Sequence, residues 1–368
     1  MNHLNQKILS AVAVAPKTTE LQEFEFPEIT PDAGLLRVEA AGVCGSDWPA
    51  YNKANKMPNI LGHENIGYIE KIGDVAKRAW NLKEGDRVAL EEYLPCGVCE
   101  RCRSGDFRLC NETDPWMGGI RYGSTPITVA PSLWGGYSQY QYLHPRSVFH
   151  KVPDNVSATE LALALPIGNG IEWIIFEGGV GVGSTVVIQG PGQQGLACVL
   201  AAKQAGASKI IVSGLGSDEK RLQLAIKLGA TDVVNVDKEN LIDKVKEITG
   251  GEMADVSLDA SSGGAKTVKM AMDLAKKRGT VLLAGMKHQN MDDFSSDMLI
   301  QKYLTVKGIR GHSYKAVEMA IEMISSGKYP IHDLCTHDYG LKDVDKALRA
   351  VGREIEPDAI HVTVNPWK

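Results

Sequence analysis

Aromatic side chains are scarce in this sequence: Phe, Trp and Tyr make up 6% of 368 residues. No apolar run reaches the roughly 18 residues that a membrane-spanning helix needs, and there is no internal repeat or low-complexity segment. Positive charge is in deficit, with 40 Lys and Arg against 45 Asp and Glu and a net charge of −5 at pH 7. Nucleic-acid binding requires a clustered surplus of Lys and Arg, so there is no electrostatic reason to expect it. The 43% hydrophobic and 23% charged composition, with 38 Gly and 16 Pro, excludes disordered, collagenous and coiled-coil chains. A small-molecule partner is the default expectation. At roughly 150 residues per domain the length suggests about two domains.

Lys7 and the apolar stretch Ile8 to Ala15 loosely imitate a signal peptide. That stretch is short for one, and the alternation from Thr18 to Thr30 (Leu21, Phe24, Phe26, Ile29) suits a strand and hairpin. A cytoplasmic protein without a membrane segment is expected.

Up to residue 156 the chain alternates turn signals with short β-branched runs, such as Leu35 to Ala40, Ile66 to Ile72 and Arg87 to Leu90, and reads as a mostly antiparallel β domain. From 157 to 296 apolar runs (Thr185 to Gln189, Lys209 to Ser213, Val233 to Val236, Ala254 to Leu258, Thr280 to Ala284) alternate with helical patterns. Those patterns cover Gly195 to Gln204, Glu219 to Leu228, Leu241 to Thr249 and Ala265 to Lys276. Such alternation builds an α/β, doubly wound parallel sheet. Beyond it lie amphipathic patterns at Tyr314 to Ser325 and Leu341 to Val351, then a strand-like Ala359 to Val364.

Of seven cysteines, Cys96, Cys99, Cys102 and Cys110 crowd into one loop, 95–111. Four thiolates at such intervals suit tetrahedral zinc, and a site filled by four protein ligands would be structural. An iron–sulfur cluster also uses closely spaced cysteines; paired disulfides, disfavoured in the cytosol, and chance are the other readings. Cys198 and Cys335 read as packing residues.

Gly190-Pro191-Gly192-Gln193-Gln194-Gly195 follows an apolar run and opens a helical pattern, the context of a dinucleotide fingerprint. Its first glycine makes the tight turn, its second admits the pyrophosphate, and its third allows close helix–strand packing. The next strand should end at the adenosine ribose, where NAD sites place Asp or Glu. Here the segment is Ser213-Gly214-Leu215-Gly216-Ser217-Asp218-Glu219-Lys220-Arg221, with glycine where the acid is expected. Small residues, the hydroxyls of Ser213 and Ser217, and Lys220 with Arg221 would accept a 2′-phosphate, which weights the cofactor slightly towards NADP; Asp218 swinging in to a ribose, with the basic pair on a solvated helix face, is the competing reading.

Gly42-Val43-Cys44-Gly45-Ser46-Asp47 and Gly62-His63-Glu64-Asn65-Ile66-Gly67 supply a thiol and an imidazole on glycine-flanked turns. Together with the cysteine loop, the glycine fingerprint, Gly-Gly-Tyr-Ser-Gln-Tyr at 135–140 and Lys227-Leu228-Gly229-Ala230, they make the sequence resemble the zinc-containing medium-chain dehydrogenase/reductase family, in its alcohol, polyol and threonine dehydrogenase branch. The resemblance covers nearly the whole chain. It implies a GroES-like catalytic domain of residues 1–156 and 297–368 around a Rossmann domain of 157–296. It also implies Cys44, His63 and Glu64 at a catalytic zinc, Ser46 passing on the alcohol proton, and Asp47 orienting His63. NAD(P) would exchange a hydride with an alcohol or carbonyl substrate, and relatives are usually homodimers or homotetramers.

Two positions depart from the family pattern. Its third zinc ligand falls on Leu165, which cannot bind metal, so Glu64 is expected to complete the set, with Glu172 as a remote alternative. Pro49 stands where many relatives carry a proton-passing histidine. Trp48, Trp116 and Trp134, with Tyr51, Met117 and Tyr122, gather near the presumed cleft and suggest a bulky or cyclic secondary alcohol, or else simply pack the loop Asn111 to Trp134, which resembles a lid. The alternatives in function are a zinc-free NADPH-dependent quinone or enoyl reductase of the same superfamily and a non-catalytic nucleotide-binding scaffold.

Overall fold

A computed structural model describes residues 7–53, 58–291 and 294–368. The chain forms two compact units, the first of Met1–Leu165 and Leu334–Lys368, the second of Pro166–Asp333.

The first unit is built mostly on antiparallel strands, with one parallel pair, Cys335–Gly340 and His361–Asn365. Ile8–Ala15 pairs with Thr18–Phe24 as a hairpin and with Asn59–Ile60 on its other edge. The larger sheet runs Cys335–Gly340, His361–Asn365, Gly34–Gly42, Glu64–Ile72, Arg87–Leu90, Phe149–Lys151, with Tyr140–Leu143 also on Gly34–Gly42. Alternation places Leu36 and Val38 in a core that also holds Ile8, Val12, Ile60, Val88 and Leu143. The C-terminal segment completes that core with Val344, Leu348, Val362 and Val364. His361–Asn365 pairs with Gly34–Gly42 through Thr363 and Gly42, and the Tyr51 hydroxyl donates to Asp345 Oδ1 at 2.6 Å. Residues more than three hundred positions apart therefore share one core.

The second unit is a six-stranded parallel sheet. Numbered by position within the unit, its strands are Thr185–Gln189, Lys209–Gly214, Asp232–Asn235, Ala254–Asp259, Ala275–Leu283 and Thr305–Gly308, in the spatial order 3-2-1-4-5-6. That is the order of a dinucleotide-binding Rossmann sheet, with its switch point between the first and fourth strands. The three central strands, Thr185–Gln189, Lys209–Gly214 and Ala254–Asp259, are buried through almost their whole length, as expected for a sheet covered by helices on both faces.

The units divide after residues 165 and 333, later in sequence than the 156 and 296 expected from composition. Thr305–Gly308 extends the parallel sheet, and Glu172 accepts from the Ser313 hydroxyl at 2.6 Å at the start of helix Tyr314–Ser325. These bonds hold residues 297–333 to the second unit. Conversely, the Thr159 carbonyl accepts from Cys335 Sγ and meets His361 Nε2 at 3.1 Å, which keeps 157–165 with the first. The fifth strand also begins at Ala275, five residues before the expected Thr280, and the helix before it ends at Leu274. No helix among the described residues is long and apolar enough to cross a membrane.

Candidate active site

Strand register assembles the first group of side chains. Gly42 is paired with Glu64 across the sheet, so Cys44, two residues on, meets His63 and Glu64 at the opposite strand's first residues. A Cβ at Gly42 would lie 2.5 Å from Glu64 Oε2; only glycine lets the carboxylate fold back there. One donor atom from each of Cys44, His63 and Glu64 lies within 4.8 Å of the others.

Asp47, in the first turn of helix Asp47–Lys53, organises this group. Its Oδ1 is 3.4 Å from His63 Nδ1, while Oδ2 accepts from the Cys44 N–H at 3.1 Å and the Tyr137 hydroxyl at 2.8 Å. The second ring nitrogen, Nε2, therefore faces away from Asp47, as in a metal-binding histidine oriented by a carboxylate. Ser46 is exposed on the turn before the helix.

Burial alone would push the His63 pKa down, but the charges of Asp47, Glu92 and Cys44 hold it well above its usual value. The Cys44 thiol is pushed up by burial and by the Glu64 charge, against the opposing pull of His63. A thiol, an imidazole and two buried carboxylates in one pocket crowd negative charge that a divalent cation would neutralise. The donor set fits zinc.

In the cysteine loop all four sulfurs lie within 4.8 Å of one another. Zn–S bonds of about 2.3 Å require S···S edges of about 3.8 Å; Cys99 and Cys102 are 3.5 Å apart and Cys96 and Cys102 4.0 Å. None of the four is disulfide-bonded, and an iron–sulfur cluster would spread its thiolates further by interposing its own atoms. The Cys96 N–H donates to Cys110 Sγ and the Cys99 N–H to Cys96 Sγ. Amide donors from Val98 and Cys99 pull the Cys96 pKa down to about 6, favouring a thiolate.

In the second unit, Gly190 follows the first strand at φ +97°, and its N–H donates to the Ser213 carbonyl. A Cβ at Gly195 would stand 1.9 Å from the Gly190 carbonyl oxygen. Helix Gln193–Gln204 starts immediately after Gly192, so its first N–H groups face the turn as an anion site. Gln194 has a structural task, donating to the Pro166 carbonyl at 2.8 Å and accepting from Asn169. Ser213 is buried, whereas Ser217 and Lys220 are exposed. Asp218 is buried, accepting from the Leu215 N–H at 3.0 Å and lying 3.8 Å from Arg221.

Several residues of these sites escaped sequence reasoning. Asp237, just beyond the third strand, accepts from the Gly216 N–H at 2.7 Å. Lys287 donates to both oxygens of Asp259, a pair 9% and 0% exposed beside Gly190 and Ser261. Tyr137 sits inside the quoted aromatic motif. Glu92 Oε2 lies 4.0 Å from His63 Nε2 and 3.3 Å from Arg121 Nη1. Its signal was present in the sequence, as two consecutive acids within an apolar stretch. Glu91 is accounted for by His150, 3.0 Å away with both side chains fully buried; Glu92 is turned towards His63.

Other expected residues serve packing. Tyr51, Tyr122 and Trp134 belong to the first unit's core, and Trp48 packs against Gly352. Of the aromatic-loop group only Trp116 and Met117 are largely exposed, so the concentration of aromatics does not form a bulky-substrate wall. Leu165 is buried, and Glu172 is committed to Ser313.

Residues 30–154 match the alcohol dehydrogenase GroES-like domain and residues 195–326 the zinc-binding dehydrogenase domain. The chain is 34% identical to a protein of Mycobacterium tuberculosis named a probable alcohol dehydrogenase, over 98% of both chains. It is 31% identical to sorbitol dehydrogenase of Bombyx mori, covering 92% of this chain and 94% of that one. L-idonate 5-dehydrogenase of Vitis vinifera is 32% identical, over 94% and 92%. The crystal structure of an alcohol dehydrogenase from Thermotoga maritima superposes with a TM-score of 0.87 at 27% identity, covering 98% of this chain and all of that one. With both domains, the metal-ligand pattern and the Rossmann strand order in one chain, this protein belongs to the zinc-containing medium-chain dehydrogenase/reductase family.

Proposed function

We propose that this protein is a zinc-dependent, NAD-linked dehydrogenase of secondary alcohols on polyhydroxylated chains. The observation that carries the reading is the gathering of Cys44, His63 and Glu64 by strand register in a chain that also holds a complete Rossmann sheet. Cys44, His63 and Glu64 would hold the catalytic metal, and Cys96, Cys99, Cys102 and Cys110 a structural one. A zinc held there would supply Lewis-acid polarisation of an alcohol oxygen, and a nicotinamide held at the glycine turn would supply a hydride acceptor.

The chain's own groups do the rest. Asp47 fixes the His63 ring, and Tyr137 with the Cys44 amide fixes Asp47. The exposed Ser46 hydroxyl receives the alcohol proton; Pro49 has none to exchange, so the proton passes from Ser46 to water or the cofactor ribose. Gly190, Gly192, Gln193 and Gly195 form the pyrophosphate turn. A carboxylate beside Gly216 and the tie between Arg221 and Asp218 favour a free ribose hydroxyl over a 2′-phosphate, which shifts the cofactor from the sequence weighting towards NADP. The relatives named for sorbitol and idonate, with the aromatics committed to the core, support the polyol class over a bulky cyclic one.

The test is a panel of polyols, sugar acids and cyclic secondary alcohols with NAD and NADP, with and without a chelator. We expect chelator-sensitive, NAD-linked turnover of the polyhydroxylated set and about two zinc ions per chain. Full turnover by Cys44→Ser would overturn the catalytic-metal reading.

A further inference from the structure

Leu165 leaves the proposed catalytic metal short of a protein ligand, and Glu92 stands where a replacement could reach it. Nδ1 of His63 is taken by Asp47, so a metal would sit on the Nε2 side. With bonds of about 2.1 Å, neighbouring ligands of a tetrahedral ion are about 3.4 Å apart. Glu92 Oε2 is 4.0 Å from Nε2 and stands outside the 4.8 Å cluster of Cys44, His63 and Glu64, so its carboxylate must rotate towards that cluster to join it.

The surroundings hold Glu92 at that spot. An isolated antiparallel bridge pairs its neighbour Tyr93 with Arg121, and the Glu92 carbonyl accepts from the Tyr122 N–H at 3.0 Å. The Arg121 guanidinium meets the same oxygen, Oε2, at 3.3 Å. Glu92 is 14% exposed and Arg121 20% exposed, so the pair is shielded from water. Burying a carboxylate 4.0 Å from His63, whose other neighbours Asp47, Glu64 and Cys44 are acidic or thiol groups, is unfavourable unless positive charge offsets it. Arg121 offsets one charge; a divalent ion would offset the others.

We propose that Glu92 is a protein ligand of the metal held by Cys44, His63 and Glu64, in place of the ligand that Leu165 cannot supply, with Arg121 as the group that parks the carboxylate when it leaves the metal. The proposal rests on the reading of that trio as a metal site. Exchange of Glu92 between Arg121 and the metal would open a position for the alcohol oxygen without a mobile loop.

The experiment measures metal content, zinc affinity by chelator competition, and the cobalt-substituted absorption spectrum for the full-length wild type, Cys44→Ser, Glu92→Gln and Arg121→Met. We expect two ions in the wild type and one in Cys44→Ser. Glu92→Gln should bind the second ion about 10–100-fold more weakly, with altered cobalt d–d bands and an unchanged cysteine-loop ion. Arg121→Met should bind the second ion as tightly as the wild type or tighter, because it frees the carboxylate. Equal weakening in Glu92→Gln and Arg121→Met would mean that Glu92 serves only the ion pair and would overturn the proposal, as would an unchanged affinity in Glu92→Gln. A wild type holding a single ion, lost on Cys96→Ser, would instead sink the metal-site reading itself.

Discussion

Asp237 and Tyr137 show how single side chains acquire a task through neighbours remote in sequence. The Gly216 N–H gives Asp237 its place at the ribose end of the second strand. Asp237→Ser should therefore lower the NAD-to-NADP ratio of binding constants by about tenfold, close to the worth of one charged hydrogen bond, measured by fluorescence titration of each cofactor. An unchanged ratio would return the preference to Ser217 and Lys220. Tyr137→Phe removes one of three groups on Asp47. It should weaken metal retention at Cys44 and His63 while leaving the cysteine-loop ion in place, read by chelator competition.

Elements meet their limits at the glycine turn and at the strand ends beside it. Gly195→Ala pushes a methyl into the Gly190 carbonyl; the turn must shift, costing about 1–3 kcal/mol. Thermal unfolding with and without NAD should show the stabilisation by cofactor reduced or lost. Lys287 and Asp259 join the segments after the fourth and fifth strands. Breaking that buried pair with Lys287→Met should cost about 3–5 kcal/mol in urea unfolding, because the Asp259 charge then keeps only the neutral donors Ser261 and Thr267; a loss under about 1 kcal/mol would show that those donors suffice. Helix Tyr314–Ser325 and strand Ile8–Ala15 match their sequence patterns to the residue: the helix buries one regular face, and the strand is an apolar run buried through most of its length. The strand at Ala275 does not: Ala275 to Gly279 carry a basic run without apolar alternation, only Ala275 pairs with Ala254 before the register shifts to Val256 and Thr280, and Arg278 between them has φ +62°.

Across the whole molecule, the C-terminal segment decides acid stability in the first unit. His361 is fully buried, and desolvation lowers its pKa from 6.5 to about 4. The folded state binds fewer protons there than the unfolded chain, so stability is complete above pH 6.5 and falls as pH drops towards 4. The loss amounts to roughly 3 kcal/mol for this one group. His361→Gln should flatten that part of the stability profile between pH 7 and 4, measured by denaturant titration at each pH; an unaltered slope would show the group is not the source.

The sequence by itself determined what short-range pattern can encode: the strand–helix alternation, the glycine turn, the tetrathiolate loop and the trio Cys44, His63 and Glu64. The glycine turn and the tetrathiolate loop are each written in one short segment and obey local sterics or ligand chemistry, whereas the trio, drawn from two glycine-flanked turns about twenty residues apart, was legible through the family resemblance. Tertiary structure decided the rest. The unit boundaries moved to 165 and 333 because a sixth parallel strand and a buried Glu172–Ser313 bond outweigh compositional change. The loop aromatics became core because Tyr122 and Trp134 found apolar neighbours from distant strands. Glu92 and Asp237 came to their sites through pairings between segments about twenty to thirty residues apart or more, a geometry that no local pattern carries. For Leu165, the position where the sequence departs from its own metal-site pattern, the carboxylate proposed as a replacement, Glu92, lies 4.0 Å from His63 Nε2, a proximity set by the fold and not by local sequence.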